Sequence, residues 1–301
     1  MAAGAEQEQA EMHLAGHALS GRRLVRRLCG AAVRGYSRLP ARESAMSATA
    51  FAADTQAADE AALRTDLAAS YRLVAHFGLD DLIYNHISAR VPGRHDQFLI
   101  NPYGLLFSEM RASSFVRIDL DGHPLDPGAA PVNQAGFVIH SAIHAARPDA
   151  VCVLHTHSEA ATAVSALDCG LLSLSQFAMR YQGHVGVHDY EGVALDLDER
   201  RRLVANLGPH NVLLMRNHGL LTVGRTVAEA FILAYYFEKA ARIQLLAQGA
   251  RDARLVLPGA GVTDRAARQF NEQQGDIRPA GAREWPALLR LLDHADPSYR
   301  S

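Results

Sequence analysis

The sequence predicts a single layered α/β domain, and three observations carry that reading. Helix-like and strand-like segments are interspersed through residues 59 to 249 instead of being segregated. A short apolar run, Ala150-Val151-Cys152-Val153-Leu154, is bounded upstream by Arg147-Pro148-Asp149 and reads as a buried strand. Thr226-Val227-Ala228-Glu229 is a capping box that opens a long helix running to Gln248, where Gly249 stops it.

Taken in order, residues 1–55 are rich in Ala, Gly, Ser and Arg, and are expected to be a disordered or processed N-terminal extension. The core is expected over 56–250. Leu63, Leu67, Tyr71 and Val74 recur at helical spacing, and Gly78 ends that run. Asp80 to Val91 leads into a strand, Phe98-Leu99-Ile100 forms another, and Asp121-Gly122 marks a turn between short strands. Gln134 to Ala146 reads as a helix stopped by Pro148. Ser158 is placed to cap a helix through Leu167. Val185 to His188, Asn211 to Met215 and Leu220 to Val223 read as strands, and Asp198 to Leu207 as a helix. Residues 251–301 form a C-terminal extension rich in Gly, Pro and Arg, with one short helix near Trp285 to Leu292.

Composition narrows the function classes. A hydrophobic fraction of 49% is ample for a packed core, and a net charge of −2 gives no electrostatic footprint for nucleic acid. No apolar run has the length of a membrane span. Cys29, Cys152 and Cys169 are odd in number and form no CxxC, which fits a reducing, cytoplasmic setting. Lys239 is the single lysine and lies inside a predicted helix, so imine chemistry has no evident nucleophile. A metal would have to act as the electrophile.

Two phrases supply one: Leu154-His155-Thr156-His157 and Asn217-His218-Gly219. His155 and His157, two apart at a strand end, point to the same face, about 6–7 Å apart at Cα. With His218 at the end of another strand they form a three-nitrogen set with an open fourth position, as a catalytic zinc site requires. Among 15 histidines an H-x-H pair also arises by chance, so the pair alone is a weak signal. His140 and His144, at i and i+4 on a helix, are a rival pair without a zincin glutamate.

These histidine phrases, together with Tyr84-Asn85-His86-Ile87-Ser88, Ile100-Asn101-Pro102-Tyr103-Gly104, Asn133-Gln134-Ala135-Gly136-Phe137, Cys169-Gly170-Leu171-Leu172 and His188-Asp189-Tyr190, resemble the class II aldolase/adducin family, and the adducin head most of all. The resemblance implies a three-layer α/β/α sandwich with a central mixed, largely antiparallel sheet. It implies a homotetramer and a divalent metal on His155, His157 and His218, zinc first, with iron or manganese as alternatives. It places substrate-binding residues at Asn85, Ser88, Asn101, Gly104 and Gln134. It also exposes departures. The aldolases carry Gly-Asn-x-Ser where this chain has Asn85-His86-Ile87-Ser88, and a catalytic glutamate that falls on Gly136. Asn85 puts a side chain where backbone should approach a phosphate. His86, His188 and Glu191 are the candidates to move protons in place of that glutamate.

The sequence is compatible with three functions. One is a metal-dependent lyase on a small carbonyl compound that is not a sugar phosphate. Another is an adducin-like oligomerisation or cytoskeletal, actin-binding module. The third is a non-haem iron oxygenase of 2-oxo acids. The helix from Thr226 to Gln248 is apolar around much of its circumference, which calls for cover from a second copy or from the C-terminal tail.

Overall fold

The computed structural model describes residues 60–192, 198–250, 254–271 and 280–301. The N-terminal extension expected over 1–55 lies outside the described residues. Helix α1 (Glu60–His76) precedes strands β1 (His86–Arg90), β2 (Gln97–Ile100) and β3 (Val116–Asp119). Then come α2 (Gln134–Ala146), β4 (Cys152–Thr156), α3 (Glu159–Ser165), α4 (Gln176–Met179), β5 (Val185–His188) and α5 (Glu199–Leu207). The chain continues through β6 (Val212–Met215), β7 (Gly219–Gly224), α6 (Val227–Gln248), α7 (Ala260–Asn271) and α8 (Trp285–Ala295).

Among the described residues, seven strands form one sheet in the order β3-β2-β1-β4-β7-β6-β5. Only β5 and β6 run parallel; every other pair is antiparallel. Strand alternation divides the interior in two. Ile87, Ala89, Leu154, Leu214 and Leu220 join the core shared with α1, α3, α6 and α8. Val153, Leu213, Met215 and Leu221 face the other way and pack with Ile139 and Ile143 of α2 and Leu203 and Leu207 of α5. The result is the expected three-layer α/β/α arrangement with a mixed, largely antiparallel sheet.

Two expectations change. Ser158 makes no capping bond; its hydroxyl donates to Glu238 at 2.8 Å. The Glu238 carboxylate, carried by α6, accepts from the Ala160 and Ala161 amides and so closes the start of α3 itself. The outer side of α6 is covered, in part, by the C-terminal tail: the Trp285 ring packs tilted against Phe231 at 6.0 Å and donates its indole N–H to Asp66 at 3.0 Å. Tyr299 is fully buried, and Arg72 reaches Asp296 and Ser298. The apolar circumference of that helix therefore does not by itself require a second copy. The tail also holds a helix that the sequence reading did not anticipate, α7, which sets Phe270 under the Arg180 guanidinium at 4.9 Å.

Candidate metal centre

The sheet ends bring the three histidines together. His155 is the fourth residue of β4, and His157 follows the strand by one residue on the same face. Between β6 and β7 the chain reverses through Asn217, whose φ of 54° is the left-handed conformation that asparagine tolerates. Gly219 then passes against the Thr156 carbonyl so closely that a Cβ there would overlap it. That close approach sets His218 beside His157. The Nε2 atoms of His155 and His157 lie 3.0 Å apart, and those of His157 and His218 3.1 Å apart.

The partners behind the rings decide what these nitrogens can do. His155 Nδ1 donates to the Leu220 carbonyl at 3.0 Å, and His157 Nδ1 donates to Asp81 Oδ2 at 2.8 Å. A neutral imidazole whose Nδ1 carries the proton presents a lone pair at Nε2. Lone pairs facing each other at 3 Å repel unless a cation lies between them. Nitrogens on a tetrahedral ion at about 2.0–2.1 Å would sit roughly 3.3 Å apart, close to the spacing here. Carbonyl and carboxylate acceptors behind the ligating rings are the usual support of a metal site. Burial, then His218, His86, His157 and His140 in turn, holds His155 well below the usual imidazole range. Burial, then His157 and His188, lowers His218 to about 4. The donor set fits a divalent ion, and these three residues would hold it.

His86 stands next to this cluster. It pairs with His155 across β1 and β4, and the two rings stack at 5.0 Å. Its Nδ1 lies 2.8 Å from His140 Nε2. The Ser88 hydroxyl lies 2.6 Å from His140 Nδ1 and 2.7 Å from His144 Nε2. The rival metal pair is thus separated by a serine hydroxyl bonded to both rings. Ser88 is fully buried, and its oxygen is engaged by these two rings rather than turned to a ligand. A Cβ at Gly136 would meet the His86 ring at 2.8 Å, so the space a side chain would take there is filled by His86.

The remaining candidates separate. The Asn85 side chain is fully buried, and neither amide atom has a protein partner. Asn101 accepts from the Tyr71 hydroxyl at 2.8 Å. Gly104 turns at φ 108° in open space, and Gln134 is exposed at the start of α2. His188 is buried with both ring nitrogens engaged, by Glu199 at 3.2 Å and Asn206 at 2.9 Å. Glu191 is ion-paired to Arg202 at 2.8 Å, and that partner lowers its carboxyl. Sequence reading missed Asp81, which orients His157; an acid in a loop five residues before His86 carries no spacing signal.

No helix among the described residues is long and apolar enough to cross a membrane. The family model for the Class II Aldolase and Adducin N-terminal domain matches residues 65–245. Over 237 residues the chain is 48% identical to a protein of Caulobacter vibrioides assigned to aldolase class 2, covering 78% of this chain and 91% of that one. It is 44% identical over 246 residues to alpha-adducin of Rattus norvegicus, covering 78% of this chain but 33% of the rat protein. Two solved structures are also similar. An aldolase II superfamily protein from Pseudomonas syringae has a TM-score of 0.75 at 48% identity, covering 81% of this chain and 97% of that one. L-fuculose 1-phosphate aldolase from Glaciozyma antarctica PI12 has a TM-score of 0.70 at 29% identity, covering 81% and 94%. With the family model matching well over half of the sequence, the chain belongs to the class II aldolase and adducin family.

Proposed function

We propose that this protein is a divalent-metal-dependent enzyme of the lyase type acting on a small carbonyl compound that needs no phosphate. One observation carries the reading: three imidazole nitrogens converge while the protons of two of the rings are committed elsewhere. An ion held by His155, His157 and His218 would polarise a carbonyl or lower the pKa of a bound hydroxyl. Zinc suits three imidazoles best, with iron or manganese as the alternatives. Asp81, bonded to His157 Nδ1, would keep the Nε2 of that ring turned toward the ion. His86 is the proton carrier, since it fills the space beside Gly136 and adjoins the cluster. The unpartnered amide of Asn85 is the group to read a substrate oxygen. His188 and Glu191, each bonded to a partner away from the cluster, are supports of the loop region around them.

The likeness to L-fuculose 1-phosphate aldolase supports the fold and the metal; Gly136 and Asn85 argue against the same substrate. The relation to alpha-adducin favours a second reading, a non-catalytic oligomerisation module. Assembly into a tetramer suits either, and light scattering on the full chain tests it. Metal analysis separates enzyme from module. Wild type should hold about one divalent ion per chain, and a His155→Ala, His157→Ala variant none. Equal content in the two proteins would overturn the metal reading. Turnover of L-fuculose 1-phosphate faster than of unphosphorylated hydroxy-carbonyl compounds would overturn the substrate reading.

A further inference from the structure

The stripe Gly136, His140 and His144 of α2 lies along the stripe His86, Ser88 and Arg90 of β1. Helical residues four apart and strand residues two apart both share a face, so the two rows mesh. Arg90 fastens the far end by donating to the His144 and Arg147 carbonyls. Between the rows runs a single buried file of hydrogen bonds: Ala150 O, His144, Ser88, His140, His86.

Its direction follows from its far end. A carbonyl only accepts, so His144 Nδ1 donates to Ala150 O at 3.1 Å. Burial, then Arg90, keeps His144 neutral, with its pKa lowered to about 3, so its Nε2 carries no proton. Ser88 therefore donates to that nitrogen. Its one hydrogen is then spent, and its oxygen accepts from His140 Nδ1–H. His140, itself buried and neutral, has a bare Nε2 that accepts from His86 Nδ1–H. The reverse order would set the His144 Nδ1 lone pair against the Ala150 carbonyl.

We infer that Ser88, His140 and His144 are positioning residues that lock His86 into its Nδ1–H tautomer, so that Nε2 is held as an acceptor for an O–H or N–H donor on a ligand of the three-histidine site. The inference rests on the proposed role of His86, and it accounts for Gly136: the ring has one permitted place and one permitted proton, and a side chain at 136 would displace both.

Neutron diffraction from the perdeuterated full chain, freed of metal with a chelator, reads the proton positions directly. Deuterium is expected on His86 Nδ1 and absent from Nε2. Ser88→Ala breaks the file and should spread the deuterium over both nitrogens, while Ser88→Thr should restore the single tautomer. Should Ser88→Ala fail to fold, His144→Phe breaks the same file at its anchor and has the same expected result. Deuterium on Nε2 in the wild type would overturn the inference, as would an unchanged Nδ1–H tautomer in a broken-file variant. Because the measurement is made without metal, a failure of the metal reading leaves its result intact.

Discussion

The same side chain is put to opposite uses on neighbouring parts of one sheet face. In the cluster of His155, His157 and His218, acceptors stand behind the rings of His155 and His157, and the Nε2 atoms of those two rings face one another with no proton to share. In the file of His86, His140 and His144, every contact pairs a donor with an acceptor, and Ser88 supplies the missing complement. Proximity of imidazoles is common to both; what differs is whether the lone pairs are already used. A histidine group that is electrostatically complete stabilises the fold, and one that is incomplete awaits a cation.

The sharpest way to break this comparison is one substitution in each group. His157→Ala should abolish stoichiometric metal binding, measured by elemental analysis, with a modest change in chelator-treated melting temperature. His144→Phe should do the reverse. It leaves the Ser88 hydroxyl without one partner and the Ala150 carbonyl without its donor, a loss of about 1–3 kcal/mol for each buried group left unpaired, with metal content unchanged. If both variants lost metal equally, the two groups would not be separate devices.

Acid offers the second test. His144 is lowered to about 3 in the folded protein, against about 6.5 in an unfolded chain. Between those values the unfolded chain binds a proton that the folded one refuses, so stability rises with pH across the window. The contribution is fully present above about 6.5 and is lost as pH falls toward 3, at up to about 1.4 kcal/mol per pH unit for this imidazole. His140 is shifted in the same direction by the same burial. Urea unfolding of chelator-treated protein at pH 7.5, 6 and 5 should show the fall, and His144→Phe should lessen it by one imidazole's share, the rest coming from His140, His155 and His218. A slope as steep in the variant as in the wild type would place the acid-sensitive groups elsewhere.

A smaller effect is expected at Gly136. Gly136→Ala sets a Cβ 2.8 Å from the His86 ring, an overpacking that costs about 1–3 kcal/mol. His86→Ala in the same chain empties that space, so the double variant should be more stable than the sum of the single changes. Additive losses would mean that the ring and the helix do not compete for one place.

The legible and illegible parts of the molecule differ by what a one-dimensional pattern can carry. Gln134–Ala146, Val185–His188 and Thr226 onward showed in period, cap and breaker, and the structure draws them at those positions. The H-x-H and N-H-G phrases showed because a strand fixes which side chains share a face. His140 and His144 showed as a pair but not as a file, since nothing local announces that Ser88, from another strand, comes between them. Asp81 and Glu238 were silent for the same reason: each acts on a partner more than seventy residues away. Helix α7 was hidden in a stretch rich in Gly and Arg, where Thr263 and Ala267, its buried residues, give little apolar signal.

The smallest expected effect concerns Glu191, the candidate that the sequence placed with His86 as a proton carrier. Its carboxylate is bonded to Arg202, which lowers its pKa and lessens its power to take a proton. An exposed ion pair of this kind contributes little to stability. Glu191→Gln should leave metal content, melting temperature and the pH dependence of unfolding all unchanged, whereas His86→Gln should remove turnover while the triad still binds its ion. Measured together on one carbonyl substrate, the two variants assign the proton. Turnover abolished by Glu191→Gln and retained in His86→Gln would move the acid/base role from the ring beside the cluster to a carboxylate at the surface. The comparison between the two histidine groups would then describe architecture alone.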